Sequence, residues 1–191
     1  HREHSSTATI AKFCPEAKYF GLLMENEMVN LNRLMSSPKK PFTAIIGGSK
    51  ISSKIDVIKN LLPLVDNLII GGGMSYTFAK ARGKRIGNSI CEDDKMQVAL
   101  DLIEEAKNKG VNLYLPVDIV AGDTFSNDSN VKYCPEVDIP DGWEGMDAGE
   151  KTRELFRDVI LNSQTILWNG PVGVFEFETF AKGTDAIAKA V

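Results

Sequence analysis

The sequence predicts an α/β fold: a doubly wound (Rossmann-like) parallel sheet with helices on both faces. Three observations carry that expectation. From Pro41 onward, short apolar runs alternate with segments of helical period, and such alternation builds a parallel sheet covered on both sides. Three of those runs end in glycine or Asn-Gly, at Gly47-Gly48, Gly71-Gly72-Gly73 and Asn169-Gly170. Glycines just past a strand mark the carboxyl edge of the sheet, where ligands bind. Finally, 191 residues at 43% hydrophobic content are enough for a core that needs neither disulfide nor metal.

The elements follow in order. Residues 1–16 are polar and then mixed, with Pro15 breaking the pattern. Phe20, Met24, Met28, Leu31 and Met35 recur at helical period, and Ser36-Ser37-Pro38 ends that helix. A helix followed by a Pro/Lys-rich break reads as a connector between domains. Residues 42–46 form an apolar strand. Ile55, Ile58 and Leu62 share one face of a helix over 51–62. Residues 67–70 are a second strand, and 74–81 a helix. Over 92–109 an amphipathic helix is expected: acids crowd its first turn, Met96, Ala99, Ile103 and Ala106 line one face, and Gly110 stops it. A strand over 111–115 stops at Pro116. Residues 123–147 are loop-rich, with room for a short strand near 131–133. A helix over 148–161, a strand over 165–168 and a helix over 179–191 complete the order.

Composition narrows the function classes. The net charge of -4 argues against a dedicated nucleic-acid binder, which needs a basic surface. The local cluster Lys80, Arg82, Lys84 and Arg85 reads as a solvated helix end. No apolar run approaches the roughly 20 residues of a membrane span. The opening His1-Arg2-Glu3-His4 has no apolar signal region. Cys14, Cys91 and Cys134 are far apart and not at metal-ligand spacing. Reduced thiols and a cytoplasmic location are the expectation.

Three segments carry chemistry. In Gly47-Gly48-Ser49-Lys50-Ile51-Ser52-Ser53-Lys54 paired glycines follow a strand, and two lysines are expected in the first turn of a helix. Cations there oppose the helix dipole, and a bound anion would resolve the conflict. Lysine suits phosphate oxygens as a mobile point charge. A tight turn with two solvated lysines is the competing reading. The spacing is neither G-x-x-x-x-G-K-[ST] nor G-x-G-x-x-G, and the absence of the latter counts against a dinucleotide oxidoreductase. Ile69 to Met74 offers either a flat backbone surface for a purine or close strand–helix packing. In Trp168 to Glu176, Asn169 ends a strand and Glu176 lies between two phenylalanines, placed to accept from sugar hydroxyls or simply exposed. Asp118, past a strand end, suits a site or equally a capping or turn role. Asp147 suits a cap on the helix that follows it, and Gly145 suits close approach to a ligand.

Together these segments resemble the phosphoglycerate kinase family over nearly the whole chain. The match runs through H-R-E-H-S-S (1–6), P-F-T-A-I-I-G-G-S-K-I-S-S-K (41–54), L-I-I-G-G-G-M (68–74), L-P-V-D (115–118), G-M-D-A-G (145–149) and W-N-G-P-V-G-V-F-E (168–176). The resemblance implies reversible phosphoryl transfer between 1,3-bisphosphoglycerate with ADP and 3-phosphoglycerate with ATP, using Mg²⁺, in a cytoplasmic monomer. It implies that 1–16 are a remnant of an N-terminal substrate domain, 17–40 the connector helix and linker, and 41–191 the nucleotide-binding domain, truncated at its end. It makes Lys50 the residue that stabilises the transferring phosphoryl group. Lys54, Gly48, Gly71, Gly72, Gly145, Asn169 and Glu176 would bind nucleotide, and Arg2 the glycerate substrate. No metal ligand is expected here, because the family's G-G-G-D-[ST] loop with its Mg²⁺-linked aspartate lies beyond residue 191. Most of the glycerate-binding domain is also outside these residues. This stretch alone is therefore expected to bind nucleotide without completing catalysis. Glu150 departs from the family pattern, which often has proline there.

Overall fold

A computed structural model describes residues 9–16, 18–19 and 21–191. The chain divides into two compact units, His1–Pro38 and Lys39–Val191. In the first unit a short 3₁₀ turn, Ile10–Lys12, precedes helix α1, Leu22–Ser36. The predicted helix is present, although Phe20 falls outside the described residues. None of its side chains is buried, and Leu22, Leu23 and Val29 are among its exposed apolar residues.

The second unit holds two sheets. Strands β1 (Phe42–Ile46), β2 (Asn67–Ile70), β3 (Asn112–Tyr114) and β7 (Thr165–Asn169) form a four-stranded sheet in the order β3-β2-β1-β7. Every pairing in it is parallel. All residues of β1 and β2 are buried, as expected for strands covered on both faces. Helices α5 (Glu150–Leu161) and α6 (Lys182–Ala190) supply Phe156, Ile160 and Ile187 to a cluster with Ile45, Ile69 and Val172. Burying each large side chain there contributes roughly 2 kcal/mol.

Residues 118–148, which include the segment read as loop-rich with one short strand, fold as an antiparallel sheet. Strands β4 (Asp118–Gly122), β5 (Val131–Pro135) and β6 (Glu144–Ala148) lie in the order β5-β4-β6. The short strand expected near 131–133 is β5, on which only Cys134 is buried. Helix α3 (Met74–Ala81), at its expected bounds, packs Tyr76 and Ala79 against Ile119, Ala121 and Cys134 of this sheet. The predicted 92–109 helix is a 3₁₀ turn, Asp93–Lys95, followed by α4, Met96–Asn108. The basic cluster is exposed, and three of its members pair with acids, Lys80 with Asp93 at 2.7 Å, Arg85 with Asp138 at 2.8 Å and, more loosely, Lys84 with Glu136 at 3.9 Å.

Two local expectations are corrected, and one open choice is resolved. Helix α2 spans only Ile55–Leu61, so Lys50 and Lys54 precede it rather than filling its first turn. Serines hold the preceding turn open: Ser53 Oγ donates to the Lys50 carbonyl at 2.9 Å, and Ser52 donates through N–H and Oγ to Glu92 at 3.0 and 2.6 Å. Burial pushes the Glu92 carboxyl up, but these bonds outweigh it and hold it below the ordinary range. Asp147 does not cap α5. It lies within β6 and accepts the Gly183 N–H of α6 at 2.8 Å. The α5 cap is Asp118, fully buried at the start of β4, which accepts the Lys151 and Thr152 N–H groups at 3.0 and 2.7 Å and the Tyr133 hydroxyl at 2.8 Å. Burial alone would raise its carboxyl, yet the Thr152 and Tyr133 hydroxyls and the backbone donors bring it below the usual value. Asp118 thus serves the fold.

Candidate functional site

Parallel register brings three strand ends level. Ile46 pairs with Ile70 of β2 and with Asn169 of β7. The turns that follow are tied through backbone: Gly47 N–H donates to Asn169 O at 2.8 Å, Gly71 N–H to Ile46 O at 3.0 Å, Gly72 N–H to Val172 O at 3.1 Å and Met74 N–H to Gly48 O at 2.9 Å. Gly72 can be nothing else. Its φ is +70°, and an added Cβ would stand 2.8 Å from the Gly48 backbone.

A cavity of about 530 Å³ opens beyond these ends. Gly48, Ser49, Gly72 and Gly73 line it from the parallel sheet, and Glu144, Gly145 and Met146 from β6. Tyr76, Ile90, Phe125 and Val174 add apolar surface, and Glu176 a second carboxylate. The loops bearing Phe125 and Glu176 are joined: the Phe125 and Phe177 rings meet edge-on at 5.1 Å, and Thr179 bonds to Asn127 through its N–H at 3.2 Å and its hydroxyl at 3.0 Å.

The predicted site residues separate into three groups. Gly48, Gly72, Gly145 and Glu176 line the cavity. Lys54 and Asn169 stand together at the strand ends, the Lys54 ammonium donating to Asn169 Oδ1. The Lys54 chain also passes Gly48, with Cε 3.9 Å from where a Gly48 Cβ would lie. Lys50 is exposed in the turn before α2 and does not line the cavity. Gly71 is buried away from it; a Cβ there would meet the Val172 side chain at 2.6 Å, so its lack of a side chain serves packing. Gly145 does both, since its Cβ would lie 2.2 Å from the Tyr76 ring. Arg2 lies outside the described residues.

Electrostatics set the site apart from the rest of the surface. Burial pushes the Glu144 carboxyl up. Asp147, just behind the lining, is raised to about 7, chiefly by burial and against the pull of the Gly183 and Ala148 N–H groups. Its Oδ1 has no partner among the described residues. Burial and the nearby Asp147 charge raise the Tyr76 hydroxyl. Among the described residues, no three His, Cys, Asp or Glu side chains are grouped to hold a metal ion. No helix among them is long and apolar enough to cross a membrane.

Glycine-backed strand ends, a cation beside them and an apolar slot suit a flat, phosphorylated ligand. The phosphoglycerate kinase family model matches residues 1–191. The chain belongs to the phosphoglycerate kinase family. It is 54% identical over 192 residues to a phosphoglycerate kinase of Porphyromonas gingivalis (strain ATCC BAA-308 / W83), covering all of this chain and 46% of that protein. A solved phosphoglycerate kinase from Coxiella burnetii superposes with a TM-score of 0.86 at 41% identity, over 90% of this chain and 44% of that one. The phosphoglycerate kinase of Pyrococcus horikoshii OT3 gives 0.75 at 26%, over 89% and 44%. The chain spans about half the length of these phosphoglycerate kinases. Family and α/β class are those the motifs predicted.

Sequence reasoning missed Tyr76, Ile90, Phe125, Glu144, Met146 and Val174 as lining residues. Met146 and Val174 sit inside matched motifs and could have been found there. Phe125 and Glu144 belong to the segment read as loop, and only the antiparallel sheet brings them to the cavity.

Proposed function

We propose that this chain is the nucleotide-binding part of a phosphoglycerate kinase. The complete enzyme would move a phosphoryl group reversibly between 1,3-bisphosphoglycerate and ADP, giving 3-phosphoglycerate and ATP. The observation that carries this reading is the set of three level strand ends, with the Lys54–Asn169 pair beside them and a cavity lined by Gly48, Gly72, Gly145 and Glu176 beyond them. Gly48, Gly72 and Gly145 would let a nucleotide approach the backbone, with Gly71 setting the packing behind them. Glu176, an exposed acceptor on the cavity, would take hydrogen bonds from ribose hydroxyls. Lys54 would exchange Asn169 for nucleotide phosphate, leaving the Asn169 amide free to donate to the same phosphates. Exposed Lys50 would reach the transferring group. Arg2 would belong to the substrate side.

In the reaction, phosphorus leaves the acyl oxygen of the glycerate and joins a terminal oxygen of the nucleotide diphosphate. No covalent bond to protein is required, so positioning and charge stabilisation by lysines and backbone N–H groups are the protein's contribution. Mg²⁺ would arrive with the nucleotide and offset phosphate charge. The described residues form no carboxylate cage for it. Residues 1–16 would end the substrate domain, 17–40 would connect, and 41–191 would bind nucleotide, in a cytoplasmic monomer.

Calorimetric titration with ADP, with and without Mg²⁺ and with NAD as competitor, tests the reading. ADP should bind, and NAD should not displace it at comparable concentration. Lys54→Ala should weaken ADP roughly tenfold to a hundredfold, the loss of a charge-assisted phosphate contact. Unchanged affinity in that variant, or preferential NAD binding, would overturn the assignment.

A further inference from the structure

The turn that carries the two lysines has no helix to hold it, since α2 begins at Ile55. Ile51, fully buried, anchors one side of the turn. Ser52 and Ser53 are exposed. Ser53 bonds within the turn, but Ser52 is gripped from outside it: Glu92 accepts its N–H at 3.0 Å and its hydroxyl at 2.6 Å. The Glu92 N–H in turn donates to Thr77 Oγ1 of α3 at 3.2 Å, and Thr77 is buried. One carboxylate thus ties the exposed side of the turn to a helix of the core. The same segment reaches the cavity, although Glu92 does not line it. Ser89 Oγ accepts the Gly145 N–H of β6 at 2.8 Å, and Ile90 is a lining residue. Ile90 and Ser49 close together over Gly73, where an added Cβ would meet them at 2.7 and 3.1 Å.

Charge alone would argue against a carboxylate here. Burial raises the Glu92 carboxyl, but the Ser52 and Ile51 donors and the Lys50 charge bring it below the ordinary value, so it is ionised at neutral pH. An anion this close to Lys50 repels the phosphate that Lys50 and Lys54 would hold. Its offsetting contribution is geometric. Hydrogen bonds to an ionised carboxylate are short and strong. Two of them on one residue fix Ser52, with Lys50 two positions before it and Lys54 two after. Two long, mobile side chains act on one phosphate group together only when the backbone between them is held. We infer that Glu92 is a positioning residue, a latch on Ser52 that holds Lys50 and Lys54 toward the nucleotide phosphates. The inference rests on the nucleotide-site reading above.

The test is calorimetric titration with ADP of Glu92→Ala, Glu92→Gln, Ser52→Ala and Lys54→Ala combined with Glu92→Ala. A nearby charge and a latch predict opposite signs: removing a repelling carboxylate would tighten ADP, whereas losing a latch weakens it. Glu92→Ala should weaken ADP about tenfold, the worth of hydrogen bonds to a charged group. Glu92→Gln, whose amide oxygen can accept the Ser52 N–H while its amino group donates to Oγ, should bind ADP at least as tightly as the unaltered chain. Ser52→Ala loses only the hydroxyl bond and should weaken ADP about threefold; it keeps the test decisive should Glu92→Ala fail to fold. The double variant should weaken ADP by less than the product of its two single effects, since the latch then has only Lys50 left to place. ADP binding unchanged or tightened in Glu92→Ala and Ser52→Ala, equal weakening by Glu92→Gln and Glu92→Ala, or a double-variant effect equal to the product would each overturn the role of Glu92 while leaving the nucleotide site intact. Failure of the unaltered chain to bind ADP would instead remove the nucleotide reading and this inference with it.

Discussion

Asp147 shows how one carboxyl can work against the fold that contains it. Its Oδ2 fastens β6 to the start of α6 through the Gly183 N–H, while Oδ1 is buried without a partner. Cβ atoms at Gly173 or Gly183 would lie 2.1 and 2.2 Å from that oxygen, so two glycines make its room. With the folded value near 7 against 3.8 for the free group, the folded state holds the proton more tightly. Stability from this group is full below pH 4 and is lost as pH rises towards 7. Asp118 acts in the opposite sense, and only in more acidic solution, because its carboxyl is held low. Urea unfolding between pH 5 and 8 should therefore show stability falling with pH, and Asp147→Asn should flatten that slope. At pH 8 the variant should be more stable by on the order of 2 kcal/mol; a slope unchanged by the substitution would refute the assignment. The sequence showed Asp147 as a cap, because Asp before a helical segment is a sound signal. It could not show which helix, since Gly183 lies far along the chain and meets Asp147 only after the sheets assemble.

Helix α4 makes the same point about faces. Its period was legible, and Ala99 and Ala106 are buried as expected. Between them the buried residue is Leu102, 2% exposed, while Ile103 is only partly covered. Both positions fall within one apolar stripe, and the rotation that chooses between them is set by packing against α3. Leu102→Ala should cost about 2–4 kcal/mol in chemical unfolding, with Ile103→Ala costing clearly less. Equal costs would mean that the helix is rotated from the position described. The strands divide in a similar way. β1 and β2 were legible because strands buried on both sides read as continuous apolar runs, and β7 because its Ile-Leu-Trp run is apolar although it is only partly buried. β5 was legible only as a short strand near 131–133, because Val131, Lys132 and Tyr133 face solvent and its length to Pro135 holds no apolar run. β6, Glu-Gly-Met-Asp-Ala, carries two acids and a glycine, yet its last three residues are buried.

The cavity is lined from both sheets, so a ligand there joins the two halves of the 39–191 unit. A nucleotide that binds only the folded state adds stability by mass action. ADP at about a hundred times its dissociation constant should raise unfolding stability by ~2.7 kcal/mol, read as a higher melting midpoint. A midpoint indifferent to ADP would contradict a site built from both sheets. One further consequence concerns synthesis. β1 is central, with β2 on one edge and β7 on the other. β2 leaves the ribosome soon after β1, but Phe42 pairs with Thr165, about 120 residues later. At roughly 5–20 residues per second, the second edge of β1 waits on the order of 10 s for its partner. An unpaired edge of Phe-Thr-Ala-Ile-Ile is a template for a neighbouring chain. The nascent protein therefore passes through an interval in which its most buried strand is its most adhesive, and crowded translation is the condition under which aggregation competes with folding.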